Sequence, residues 1–214
     1  MMVYLAYNSM KKRIILIIIF ILILIIGYFV VRGGSKNSFD KPKNSTIVAF
    51  GDSLVAGNGS TEGNDFVSVL SRKIGVLIEN FGHSGDTSAD ALARIDTVIE
   101  RDPGIVILVI GGNDILRKVP IATTKDNISS IVETLQKNNT RVLLVGVKGA
   151  ILNDPYADMY ESITDEYDIA YMPNILSGLL GKSKYMSDAI HPNDIGYARI
   201  ADRLSEILKP LVLE

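Results

Sequence analysis

The 214-residue chain contains no cysteine and only two histidines, His83 and His191. The absence of cysteine excludes a disulfide framework, a thiolate zinc site, a cysteine nucleophile and a lipid-modified cysteine. A surplus of basic charge is also absent, because 22 Lys and Arg residues face 24 Asp and Glu residues and leave a net charge of -2. We therefore expect no nucleic-acid partner. Any reaction step that needs an imidazole must therefore use His83 or His191.

Long apolar runs are missing except for one near the N-terminus, at residues 14–31. Its length of about 18 residues is close to the minimum for a helix that spans a bilayer. The basic cluster at 11–13 directly precedes it, and its end at Tyr28–Arg32 lacks the small residues of a signal-peptidase site. We predict a transmembrane signal anchor at 14–31, with a cleaved signal peptide as the alternative. The basic cluster predicts a cytoplasmic tail at 1–13, hence a single-pass cell-membrane protein whose main domain lies outside the cytoplasm.

Residues 32–45 are polar and contain glycine and proline, which is typical of a flexible linker. The remaining residues, 46–214, suffice for one domain, and strand-like and helix-like segments alternate along them. The predicted strands are Thr46–Phe50, Val76–Phe81, Ile105–Ile110, Arg141–Val147 and Ile169–Met172, and the predicted helices are Phe66–Ile74, Ser88–Arg101, Lys125–Lys137, Tyr156–Tyr167 and Asp194–Leu208. This alternation predicts an α/β fold with a mostly parallel, five-stranded sheet that has helices on both faces.

Four short motifs fall where such a fold gathers functional residues. Three follow predicted strands: Gly51-Asp52-Ser53-Leu54, Ser84-Gly85-Asp86-Thr87 and Gly111-Gly112-Asn113-Asp114. The fourth, Asp188-Ala189-Ile190-His191, precedes the last predicted helix. Ligands bind beyond the carboxyl ends of parallel strands, so we expect all four motifs on one edge of the sheet.

Ser53 is the predicted nucleophile, because it follows a buried strand through Gly51, which permits a sharp turn. The alternative is an ordinary serine in a turn. Ser84 is a rival nucleophile, but Asp86 stands where the G-x-S-x-G elbow of α/β-hydrolases needs a second glycine.

His191 is the predicted general base, with Asp188 three residues before it as the carboxylate that orients the imidazole. The alternative is that Asp188 and Asn193 or Asp194 only cap the last helix. The predicted oxyanion donors are the backbone N–H groups of Ser53 and Gly85 and the side chain of Asn113.

His83 has two open interpretations, as a residue at the mouth of the pocket or as a hydrogen-bonded structural histidine. A metal site built from the two histidines with Asp52, Asp86 and Asp114 is conceivable, but no H-E-x-x-H or EF-hand spacing supports it. We therefore expect no metal site.

With these residues, the chain resembles the SGNH hydrolases, also called the GDSL esterase/lipase family, from Ile47 to Leu208. It is most similar to the thioesterase I/lysophospholipase L1 branch. The resemblance implies a three-layer α/β/α sandwich with a flavodoxin-like sheet and no metal or organic cofactor. It also implies a triad of Ser53, His191 and Asp188 with Gly85 and Asn113 as oxyanion donors.

The expected function is that of a serine ester hydrolase that cleaves acyl esters or thioesters, lysophospholipids among them, through an acyl-enzyme. Two alternatives stay open: an O-acetyl esterase that acts on envelope polysaccharide, and a catalytically inactive, anchored binding module. The expected partners are a small-molecule, lipid or glycan ester and the membrane through the anchor. The sequence leaves the oligomeric state open.

Overall fold

The sheet that the alternating pattern predicts is present in the structure, a computed structural model that describes residues 46–148 and 154–213. Its strands are β1 (Ile47–Gly51), β2 (Ile78–Gly82), β3 (Ile105–Val109), β4 (Arg141–Val145) and β5 (Ala170–Met172). They are all parallel and lie in the order β2-β1-β3-β4-β5, which is the flavodoxin-like order. The predicted α/β fold is thus confirmed.

Eight helices accompany the sheet within the described residues. They are α1 (Ser53–Ala56), α2 (Phe66–Ile74), α3 (Ser88–Ala93), α4 (Ile95–Ile99), α5 (Gly112–Arg117), α6 (Ile121–Lys137), α7 (Pro155–Tyr167) and α8 (Asp194–Leu213). The predicted tail, anchor and linker at 1–45 lie outside the described residues. Across the described part of the chain, no helix has both the length and the apolar character needed to cross a membrane.

Two hydrophobic cores, one on each face of the sheet, give the fold three layers. Alternate side chains of a strand point to opposite faces, so Ile47 and Ala49 of β1 pack with α2 and α8. Val48 and Phe50 pack on the other face, with α3, α4, α6 and α7. β1, β3 and β4 are buried along their whole length, as continuous apolar runs predict.

The main departure from the predicted elements is in the segment 88–101, which the pattern predicts as one helix. The structure has two short helices, α3 and α4, that meet at Arg94 (φ -117, ψ 17). Two further short helices, α1 and α5, begin inside the first and third motifs and were not predicted. Each is a first turn just after a strand, too short for a hydrophobic period to show.

Candidate active site

Ser53 is the first residue of α1, two residues beyond the end of β1. Only glycine fits at position 51, since a Cβ there would lie 1.8 Å from the carbonyl oxygen of Val109. The next residue, Asp52, is buried, and its carboxylate accepts a hydrogen bond of 3.0 Å from the N–H of Leu54. The close approach of Gly51 to Val109 and the cap at Asp52 together fix where the hydroxyl of Ser53 lies.

His191 and Asp188 lie on a compact loop between β5 and α8. The loop is closed by a bridge between Met186 and Pro192 and by a hydrogen bond of 2.9 Å from the N–H of Ser187 to the carbonyl oxygen of His191. One carboxylate oxygen of Asp188 accepts hydrogen bonds from the N–H groups of Ile190 and His191, at 2.8 and 2.7 Å. These backbone contacts orient the carboxylate independently of its contact with the imidazole of His191.

A continuous hydrogen-bond chain joins the three predicted triad residues. The Nε2 atom of His191 lies 3.0 Å from the Oγ atom of Ser53, and its Nδ1 atom lies 2.7 Å from the second carboxylate oxygen of Asp188. The contacts with the imidazole and the two N–H groups lower the pKa of Asp188 to about 2. Asp188 is thus ionised at neutral pH, which favours a proton on Nδ1 and leaves Nε2 free to accept from Ser53.

Two of the three predicted oxyanion donors, Gly85 and Asn113, lie shortly after the ends of β2 and β3. Asn113, on α5, lines the same pocket as Ser53 and His191. Its Nδ2 atom donates one hydrogen bond of 2.9 Å to the carbonyl oxygen of Asp86, which leaves the second N–H of the amide for a ligand. Gly85 directly precedes Asp86 and has a φ of +90, and its carbonyl oxygen accepts a hydrogen bond of 2.8 Å from Arg117. Gly85 itself is not among the residues that line the pocket.

The pocket beside Ser53 has a cavity of about 170 Å³ and mostly apolar walls. Seven aliphatic side chains in its lining come from α1, from α5, from the residues just after β4 and from the segment before α8: Leu54, Ile115, Leu116, Val147, Leu176, Leu180 and Ile190. The polar side chains in the lining are those of Asp52, Ser53, Asn113, Lys148 and His191. The arrangement places the hydroxyl of Ser53, the predicted nucleophile, in an apolar cleft, as in many small-molecule sites.

The profile of the GDSL-like lipase/acylhydrolase family matches residues 49–199, which is more than half of the 214-residue chain. The chain belongs to this family. The family resemblance predicted from the four motifs is thereby confirmed, and this GDSL-family protein is an ester hydrolase.

Known proteins similar to this GDSL-family hydrolase are esterases and thioesterases. Esterase TesA of Pseudomonas aeruginosa is 28% identical over 179 residues, which cover 78% of this chain and 89% of that protein. Thioesterase 1/protease 1/lysophospholipase L1 of Escherichia coli K12 is 29% identical over 176 residues, which cover 78% of this chain and 85% of that protein. The solved structure of the psychrotrophic esterase EstA from Pseudoalteromonas sp., inhibited by monoethylphosphonate, has 27% identity and a TM-score of 0.72 over 80% of this chain and 100% of that chain.

Arg94, which none of the sequence motifs includes, holds together the loops that carry the first two motifs. Its Nε atom donates to the carboxylate of Asp86 at 2.6 Å, and its Nη atoms donate to the carbonyl oxygens of Phe81 and Gly51 at 3.1 and 2.9 Å. The guanidinium also lies 4.5 Å from the ring centroid of Phe50. One side chain therefore joins the ends of β1 and β2 to the loop that binds Asn113. Charged residues are common in surface helices, so no sequence signal distinguished Arg94.

Ser84 and His83, the alternative candidates, have other contacts. The Oγ atom of Ser84 donates to the side chain of Asn58 at 2.8 Å, and not to a histidine. The side chain of His83 is 76% exposed, and its Nδ1 atom lies 3.3 Å from the carboxylate of Asp86. Neither residue lines the pocket beside Ser53.

The three buried motif aspartates have separate tasks. Asp52 caps α1, Asp86 binds Arg94, and Asp114 accepts hydrogen bonds from the N–H and hydroxyl of Ser88 at 2.8 and 2.6 Å. Within residues 46–148 and 154–213, no group of three or more acidic or histidine side chains is placed to hold a metal ion. Burial raises the pKa of Asp52 to about 6, although the hydrogen bond from Leu54 and the nearby His191 act in the opposite direction.

Proposed function

We propose that the protein hydrolyses acyl esters or thioesters through an acyl-enzyme formed on Ser53. The Oγ atom of Ser53 attacks the carbonyl carbon while Nε2 of His191 takes its proton, and Asp188 stabilises the resulting imidazolium. The tetrahedral intermediate collapses as the bond to the alcohol or thiol breaks, and His191 returns the proton to that leaving group. Water, deprotonated by His191, then attacks the acyl-enzyme and releases the acid and free Ser53.

The observation that carries this proposal is the chain of contacts from Ser53 to His191 to Asp188, at 3.0 and 2.7 Å. Both distances fall within the range that proton transfer between nucleophile, base and orienting group needs. In the proposed mechanism the oxyanion accepts hydrogen bonds from the N–H groups of Ser53 and Gly85 and from the free N–H of the Asn113 amide. Each such donor contributes about 10²–10³-fold to kcat in comparable sites.

The lining of the pocket favours a substrate with an apolar acyl chain. Seven aliphatic side chains line the pocket beside the hydroxyl of Ser53, and an acetyl group would fill little of that surface. The names of the Escherichia coli relative, thioesterase 1 and lysophospholipase L1, point in the same direction. We therefore favour lysophospholipids and related acyl esters over O-acetyl groups of polysaccharide as the substrate class.

The proposed location rests on the sequence alone. The apolar run at 14–31 and the basic cluster before it indicate a single-pass anchor, with the hydrolase domain outside the cytoplasm. An anchor of this kind would keep the pocket close to membrane lipids.

The test is hydrolysis of p-nitrophenyl esters from acetyl to palmitoyl, with Ser53→Ala beside the control Ser84→Ala. We expect Ser53→Ala to lower kcat by about 10⁴-fold or more and Ser84→Ala to leave it nearly unchanged. Activity should be higher on acyl chains longer than acetyl. Full activity in Ser53→Ala would refute the mechanism. A preference for acetyl would support the polysaccharide esterase, and inactivity on every ester tested, acetylated glycans included, would support the binding module.

A further inference from the structure

The mouth of the pocket exposes large aliphatic side chains to solvent. Leu116, Leu180 and Ile190 all line the pocket and are 58%, 44% and 41% exposed. Single exposed aliphatic residues are common on protein surfaces, but a cluster around one opening marks an interaction site. Leu180 lies between Gly178 and Gly181, which both have positive φ values and open space around them, so the turn presents its side chain outward.

The same segments carry a surplus of exposed cations. We call residues 112–118, 147–148 and 176–191 the mouth segments. Their exposed basic side chains are Arg117, Lys118, Lys148, Lys182 and Lys184. Among the described residues of these segments, Asp188 is the one exposed carboxylate, and its oxygens already bind His191 and the N–H of Ile190. The mouth segments are therefore basic, in contrast to the net charge of -2 of the whole chain, and one of their cations, Lys148, lines the pocket itself.

We propose that the mouth segments dock on an anionic lipid surface, with Leu116, Leu180 and Ile190 in contact with the acyl region and the lysines beside the phosphate groups. Aliphatic residues ringed by Lys and Arg are the composition of interfacial membrane-binding surfaces. A neutral glycan would find no partner for the aliphatic side chains. The inference rests on the proposed function, since docking would place the pocket of Ser53 where an acyl ester leaves the bilayer.

The absence of cysteine allows a direct test in the full chain. A single Leu180→Cys variant, labelled with a polarity-sensitive fluorophore, reports whether the mouth enters lipid, whatever residues 1–45 do. Leu77→Cys is the matched control, because Leu77 is 76% exposed and lies just before β2, at the opposite edge of the sheet. Both labelled chains are incorporated into vesicles of phosphatidylcholine, with and without phosphatidylglycerol. We expect a blue shift only for the label at 180, and only with phosphatidylglycerol present.

Lysine variants test the charge. Each Lys near an anionic surface changes membrane partition by about fivefold, so Lys182→Ala with Lys184→Ala should lower the docked-to-free ratio about 25-fold. Lys137→Ala with Lys209→Ala, at helix ends away from the pocket, is the charge-matched control and should leave the shift unchanged.

A label at 180 that stays in water on anionic vesicles would overturn the proposal. So would a shift of equal size on neutral vesicles, or one that the Lys182 and Lys184 changes leave intact. The docking is measured without turnover, and p-nitrophenyl butyrate hydrolysis in water is measured separately on the Lys182/Lys184 variant. Loss of docking in that variant with hydrolysis retained supports the surface. In the unmodified chain, hydrolysis without docking refutes the surface alone, and docking without any hydrolysis refutes the proposed function alone.

Discussion

Replacement of the buried carboxyl group of Asp52, next to Ser53, should change how stability depends on pH. Asp52 is 2% exposed, and burial raises its pKa from 3.8 to about 6. The native state therefore holds the proton on Asp52 more tightly than the unfolded chain does. Asp52→Asn keeps an oxygen that can accept from the N–H of Leu54, but it cannot ionise.

The sign and size follow from that difference in pKa. The stabilising effect of the protonated group is fully present below about pH 4 and is lost as the pH rises through about 6. The difference between 3.8 and about 6 corresponds to about 3 kcal/mol at neutral pH, at roughly 1.4 kcal/mol for each pH unit. We expect the free energy of unfolding of Asp52→Asn, relative to the unmodified protein, to increase by about 3 kcal/mol between pH 4 and pH 8.

The assay is urea unfolding followed by far-UV circular dichroism at several pH values, on a fragment that begins near Lys43. Asp90→Asn is a control of opposite sign, because hydrogen bonds from Thr87 lower the pKa of Asp90. Its stabilising effect is present above the ordinary pKa of aspartate and is lost at lower pH. An equal difference between Asp52→Asn and the unmodified protein at pH 4 and pH 8 would refute the reasoning.

Three further changes have expected outcomes. Asn113→Ala should lower kcat for p-nitrophenyl butyrate by about 10²–10³-fold with little change in KM, since the amide is proposed to act on the oxyanion. Asp188→Asn should lower kcat by up to about 10⁴-fold, because the imidazole loses the acceptor that fixes its tautomer. Gly111→Ala should lower Tm clearly more than Gly178→Ala: both have positive φ, but a Cβ at 111 would lie 2.3 Å from the hydroxyl of Tyr160, whereas at 178 nothing lies within 4 Å.

The sheet could be predicted from the sequence because each strand has a strong local signal. β3 and β4 are short apolar runs bounded by residues that end them, and both faces of such runs are buried. Two helix ends also depend on nearby residues. One helix ends at Gly75, which has a φ of +74, and another begins with a capping box between Thr87 and Asp90. Because these features depend on residues close together in the chain, sequence patterns are enough to predict them.

The candidate site was predictable as a set of residues but not as a geometry. The four motifs named Ser53, Asn113, Asp188 and His191, and the parallel sheet placed three motifs at one edge. No sequence spacing gives the contact between Ser53 and His191, which are 138 residues apart. Nor does any spacing show that the apolar wall of the pocket combines side chains from α1, from α5, from the residues just after β4 and from the segment before α8.

The misses have a common physical cause. At Arg94, hydrophobic periodicity favours a continuous helix, yet the guanidinium reaches Asp86 and two strand ends only because the helix breaks there. At Asp52, burial of a carboxylate is unfavourable, yet the cap it forms positions the first turn that holds Ser53. Each residue breaks a local rule and acts on a motif loop. Local rules are expected to fail where a site requires an arrangement that local preferences would not choose.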